Sequence, residues 1–142
     1  MLAELDGALD LRRVHFLGPL PYQQYLTVLQ ISSLHVYLTY PFVLSWSLLE
    51  AMAAGCLVVS SRTPPVEEVI CDDDNGWLVD FFDVEGLAER IAAALAGKED
   101  AISSRLRAAA RQTVIARYDL NTVCLPAYLK LLRSLLGSSK NL

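Results

Sequence analysis

The chain has 142 residues, a formal charge of −4, a hydrophobic fraction of 54% and a mean hydropathy of +0.35. That length suits a single hydrophobic core, and no run approaches the ~18 apolar residues of a membrane-spanning helix. Apart from Arg105, Arg107, Arg111 and Arg117 in one helical stretch, the basic residues are scattered, which argues against a phosphate-backbone footprint and so against nucleic acid as a partner.

In chain order, Met1–Leu9 reads as the end of a helix that leads into a strand at Val14–Leu17. The sheet is thus expected to start in mid-fold, with further βα units before Met1 in a longer parent. Residues 1–142 are then one domain truncated at its N-terminal edge. Pro19 and Pro21 precede a helix at Tyr22–Ile31, and an apolar strand follows at His35–Thr39. Ser45 or Ser47 caps a helix that runs to Ala54 and stops at Gly55. Strands at Leu57–Ser60 and Trp77–Val79 come next, then helices at Val84–Leu95, ending at Gly97, and Glu99–Arg117. Asp119 and Asn121 can cap a last helix to Leu136, with Pro126 near its first turns or at a kink. Strands alternating with helices, with little polar interruption, predict an α/β Rossmann-like fold: an open parallel sheet with helices on both faces.

Ligands of open α/β sheets gather beyond the carboxyl ends of the strands, where helix N-termini present unpaired N–H groups. The segment from Tyr40 to Gly55 is such a corner. A phosphate over the amides of Leu44, Ser45 and Trp46 meets the positive end of a helix dipole, worth roughly 0.3–2 kcal/mol. One turn on, the Glu50 carboxylate can accept both hydroxyl protons of a ribose. The competing reading makes Ser47-Leu48-Leu49-Glu50 a capping box, in which the acid only bonds back to the backbone.

The run Leu48-Leu49-Glu50-Ala51-Met52-Ala53-Ala54-Gly55-Cys56-Leu57-Val58-Val59 resembles the LEAMAxGxPVV signature of the family-four (group 1) retaining glycosyltransferases, which have the two-Rossmann GT-B fold. Val14-His15-Phe16-Leu17-Gly18 is similar to that family's VxFxG strand. Glu68-Val69-Ile70 with Asn75-Gly76-Trp77-Leu78-Val79 resembles its EVV…NGxLV stretch. The half resembled is the C-terminal, donor-binding domain, from about Leu9 to about Leu136. The resemblance implies a nucleotide diphosphate sugar as substrate, no cofactor and no obligatory metal, and an acceptor held by an N-terminal domain that is not part of this chain.

Position by position, the resemblance implies ribose binding by Glu50, diphosphate binding by the amides of Leu44, Ser45 and Trp46, and a base-side loop at Gly18-Pro19-Leu20. The family's first glutamate, which contacts the donor sugar, falls at Phe42. Phenylalanine accepts no hydrogen bond from a sugar hydroxyl, so another group does this, the loop register differs, or transfer has been lost. Pro64-Pro65 stands where the family has Gly-Gly, stiffening a loop and removing two N–H donors.

Arg62, at the ligand-side end of a strand, is a further candidate for phosphate or sugar, against a solvated role or a pairing with Glu67. The loop Cys71-Asp72-Asp73-Asp74-Asn75-Gly76 fits a calcium loop poorly, since Cys71 takes the first ligand position and Phe82 the bidentate one. His15 and His35 read as core or sheet-edge residues, the arginines from Arg105 to Arg117 as a solvated face, and Trp46, Trp77 and Met52 as core. Cys56, Cys71 and Cys124 are odd in number and form no CxxC pair, which favours a reducing, cytoplasmic compartment. Two rivals remain: a nucleotide-binding module without transferase activity, and a small doubly wound protein-interaction domain.

Overall fold

The computed structural model describes residues 10–40, 43–97 and 101–138. Strands β1 (His35–Tyr37), β2 (Val58–Ser61) and β3 (Trp77–Val79) form a parallel sheet in the order β1-β2-β3. Val36 pairs with Val59, and Ser60 with Leu78. The central strand β2 is buried along its whole length, as its unbroken apolar character requires when both sheet faces are covered.

The alternation of side chains along the strands splits the core in two. Tyr37, Val58 and Leu78 meet Leu48 and Met52 of α2 (Trp46–Ala54), Val66 of α3 (Pro64–Glu67) and Ala110 of α5 (Ala101–Tyr118). Val59, Trp77 and Val79 meet Ala94 of α4 (Val84–Ala96) and Leu106 of α5 on the other face. Helices therefore cover both faces, as predicted. Fully buried residues such as Leu48 and Met52 each contribute about 1.5–3 kcal/mol by burial. Helix α1 (Tyr22–Ile31) packs on α2 rather than on the sheet: Leu29 meets Ala51 and Cys56, whose thiol donates to the Leu29 carbonyl at 3.0 Å.

The helix ends follow the expected chemistry. Ser45, not Ser47, caps α2, its Oγ accepting from Ser47 N at 3.3 Å, and Gly55 ends the helix at φ 86°. Asp83 caps α4 through Gly86 N at 2.8 Å. Asp119 accepts from the amides of Asn121 and Thr122 ahead of a wide π-helical turn, Leu120–Cys124, which passes into α6 (Leu125–Ser138). Pro126, without an N–H, sits at that junction.

Several expectations need correction. Val14–Leu17 forms no strand: Asp10 caps a single 3-10 turn at Leu11–Arg13, and the residues that follow have no ladder partner among the described residues. Apolar character alone does not make a strand where no neighbour satisfies the backbone. Phe16 is accordingly 75% exposed, and His15 is exposed rather than in a core or at a sheet edge. Pro64 and Pro65 do not stiffen a loop but open helix α3, where proline's fixed φ suits the first turn and the missing N–H groups have no intrahelical acceptor to lose. The helix end at Met1–Leu9, the helix start at Glu99, and Phe42 lie outside the described residues. No helix among the described residues is long and apolar enough to cross a membrane.

Candidate functional site

At the carboxyl end of the sheet, β1 and β2 are locked together by side chains. Ser61 Oγ donates to the Thr39 carbonyl at 2.8 Å and accepts from Thr39 N at 2.9 Å, while Ser60 Oγ donates to the Tyr37 carbonyl at 2.9 Å. This fixed edge carries the loop into α2. The Ser45 amide donates to the Tyr37 hydroxyl at 2.9 Å, so one of the three amides assigned to a phosphate already has an acceptor. The amides of Leu44 and Trp46 have none among the described residues. All three residues line a groove of about 280 Å³ with Val43, Leu49, Tyr118 and Cys124. Trp46 is 78% exposed at its rim, not in the core, because it is the first residue of α2 and projects beyond the packed turns. Trp77 and Met52 are buried.

Glu50 lies one turn further along α2, half-buried. With the cap at Ser45, no capping box forms, and the carboxylate instead receives the Tyr22 hydroxyl on Oε1 at 3.2 Å. Glu50 opens onto a second cavity of about 220 Å³, lined by Tyr22, Leu26, Gln30, Ala53, Ala54 and Arg111. The hydrogen bond to Glu50 and its negative charge raise the Tyr22 pKa, so the phenol keeps its proton. The Tyr25 phenol is pushed up to about 12, chiefly by burial, with the Glu50 carboxylate adding to it first as a hydrogen-bond acceptor and then as a charge. Gly18-Pro19-Leu20 immediately precedes α1, and Gly18 adopts φ 64°, a conformation that costs glycine little.

The fold therefore places Glu50 on the side of α2 that faces α1, and Leu44–Trp46 in a different groove that shares no lining residue with the Glu50 cavity. Arg62 belongs to neither. It pairs with Asp72 and, at 3.5 Å, with Glu67, beside a separate cleft of about 500 Å³ next to α4. Asp72 also accepts from Leu78 N at 2.9 Å, so the acidic loop braces β3. Tyr22, Tyr25 and Tyr37 are functional candidates that the sequence reading missed. Tyr22 is 28 residues from the carboxylate it touches, and no local spacing reports such a contact.

A parallel sheet covered on both faces, with a helix N-terminus and a carboxylate at its ligand-side edge, defines a Rossmann-like α/β domain. Residues 2–113 match the family described as Glycosyl transferases group 1. The chain is 32% identical over 87 residues to the lipopolysaccharide core biosynthesis glycosyltransferase LpsE of Rhizobium meliloti, covering 61% of this chain and 25% of LpsE. Among solved structures, sucrose-phosphate synthase from Thermosynechococcus elongatus superposes with a TM-score of 0.79 at 25% identity, over 96% of this chain and 34% of that one. HepE of Anabaena, solved in complex with UDP-glucose, gives a TM-score of 0.66 at 19% identity, over 75% and 29%. The C-terminal domain of the group 1 protein LpcC from Francisella tularensis gives 0.56 at 19% identity, over 76% and 53%.

The chain belongs to the group 1 glycosyl transferases, and its fold is that of the C-terminal domain of the GT-B architecture. It spans about a quarter of LpsE and about a third of sucrose-phosphate synthase.

Proposed function

We propose that this chain is the donor-binding part of a glycosyltransferase that moves a sugar from a nucleotide diphosphate sugar to an acceptor with retention of configuration. The acceptor is held by an N-terminal domain of the same parent chain. The observation that carries the reading is the Glu50 carboxylate: half-buried, free of any capping duty and open to a cavity one turn from the N-terminus of α2. Glu50 takes the ribose, Gly18-Pro19-Leu20 lies against the base, and the amides of Leu44 and Trp46 with the helix dipole receive the diphosphate. Ser45 contributes its amide only if it leaves Tyr37. HepE, a fold neighbour solved with UDP-glucose and with UDP, supports a nucleoside diphosphate as the bound group.

As the glycosidic bond breaks, negative charge builds on the leaving diphosphate, and fixed N–H dipoles stabilise it without reorganising. No metal is required in this reading, since backbone donors supply the counter-charge. The free thiols of Cys56, Cys71 and Cys124 suit a reducing, cytoplasmic setting.

Titration of the chain with UDP and other nucleoside diphosphates tests the reading. Binding by the wild type should weaken on Glu50→Ala by about 1–3 kcal/mol, the cost of losing hydrogen bonds to a charged group. A folded wild type that binds no nucleoside diphosphate overturns it. Phe42, standing where the family has its sugar-contacting glutamate, favours a second reading, a nucleotide-binding module without transfer. Nucleotide binding without sugar turnover in the full-length parent would select that reading.

A further inference from the structure

We infer that Tyr22 is a positioning residue for Glu50, fixing the carboxylate and its distance from the Gly18–Leu20 loop before any nucleotide arrives. The inference rests on the assignment of Glu50 to the ribose.

A glutamate side chain turns about several bonds, and a ligand that must immobilise it loses affinity for doing so. Here the immobilising contact exists already: the Tyr22 hydroxyl donates to Oε1 at 3.2 Å. A carboxylate has roughly four acceptor positions and Tyr22 fills one, so both protons of a ribose diol can still be accepted. Tyr22 follows the base-side loop by two residues, and Pro21 directly precedes it as the first residue outside α1. One hydrogen bond therefore ties the loop proposed for the base to the acid proposed for the sugar of the same nucleoside. Tyr25 backs the arrangement. Its ring centroid lies 6.2 Å from that of Tyr22, and its hydroxyl is buried. The Tyr22 hydroxyl is the group that stands within hydrogen-bond distance of the Glu50 carboxylate, and the neighbouring Tyr25 phenol interacts with the same carboxylate from behind.

The test measures affinities of the chain for UDP and for 2′-deoxy-UDP, which lacks one ribose hydroxyl, in the wild type, Tyr22→Phe, Glu50→Gln and the double variant. Far-UV circular dichroism and urea midpoints serve as folding controls; Tyr22 is 57% exposed, so removing its hydroxyl should leave the fold intact. The wild type should prefer UDP. Tyr22→Phe should weaken UDP binding about three- to tenfold, weaken 2′-deoxy-UDP less, and so narrow the preference. In the Glu50→Gln background the same change should have little further effect, the mark of two residues acting through one contact. If Glu50→Gln lowers UDP affinity but Tyr22→Phe leaves the preference unchanged, the positioning role is overturned while the ribose assignment stands. If Glu50→Gln has no effect, or the folded wild type does not bind UDP, the ribose assignment falls and the role of Tyr22 falls with it.

Discussion

The Ser45 amide and the Tyr37 hydroxyl are joined across 2.9 Å, so the loop that opens α2 hangs from the last residue of β1. Tyr37 is also part of the core, packed with Leu48 and Val58. Tyr37→Phe keeps that packing and removes the acceptor, leaving a partly buried N–H to find water or nothing. Urea unfolding should register a loss of about 1–2 kcal/mol. The same variant should weaken nucleotide binding if the Leu44–Trp46 amides receive a phosphate, and calorimetric titration with UDP reads that effect separately from stability.

Asn75 explains why an Asn-Gly pair precedes β3. Its Oδ1 accepts from Cys71 N at 2.8 Å, and its Nδ2 donates to the Val69 carbonyl and to Thr113 Oγ1, both at 3.0 Å. Asn75 is only 3% exposed, so Asn75→Ala takes the side-chain partner from the Cys71 N–H and the Val69 carbonyl, while Thr113 keeps its bond to the Ala109 carbonyl. A destabilisation of about 2–4 kcal/mol is expected by thermal or urea unfolding. Gly76 beside it has little room: an added Cβ would stand 3.1 Å from Ile70 Cγ2. Gly76→Ala should therefore also destabilise, by roughly 1 kcal/mol or more.

Much of this fold is legible in local patterns because the patterns carry their own physics. α1 and β3 have the expected bounds, Ser45 starts α2 through its side chain, and Gly55 ends it in the left-handed conformation that a missing Cβ allows. What fails depends on partners distant in the chain. Val14–Leu17 has strand composition, but a strand exists only where another strand bonds to it. Trp46 has a core residue's chemistry and a rim residue's place, since the first position of a helix decides its exposure. For the candidate site, Glu50 was legible as a carboxylate one turn into a helix. Its release from the capping box was not, because that depends on which of two serines caps, and the tyrosine that engages it comes from another helix.

The arginines of α5 show the same limit. Their spacing suggests a solvated face, yet Arg107 donates to the Ser33 carbonyl at 2.6 Å, Arg105 to the Asp73 carbonyl at 2.6 Å, and Arg111 to the Ala53 carbonyl. Ser33 lies in the loop after α1, whereas Ala53 lies in the last turn of α2, so the Arg111 guanidinium serves a helix end whose carbonyls lack intrahelical donors and carry partial negative charge. Arg111→Met keeps the aliphatic stem and removes the donor. A loss of about 0.5–1.5 kcal/mol is expected by urea unfolding, diminishing as salt is added. No change at low salt would return Arg111 to a solvated role.

His35 makes stability depend on acid. It sits on the edge strand β1 with Nε2 buried and without a hydrogen-bond partner among the described residues, and burial lowers its pKa. An imidazolium there would need solvation that the site does not provide. In the unfolded chain the group titrates near its ordinary value of about 6.5. Because the folded pKa lies below the unfolded one, the unfolded state binds the proton first as pH falls. The contribution of neutral His35 is therefore fully present above pH about 6.5 and is lost as pH drops through the folded pKa. Urea midpoints measured from pH 7.5 down to 5 should fall in the wild type. His35→Leu has no proton to take up, so the part of the decline that begins near pH 6.5 should disappear, leaving any carboxylate contribution at lower pH. A decline of equal size in both proteins would assign the acid sensitivity elsewhere.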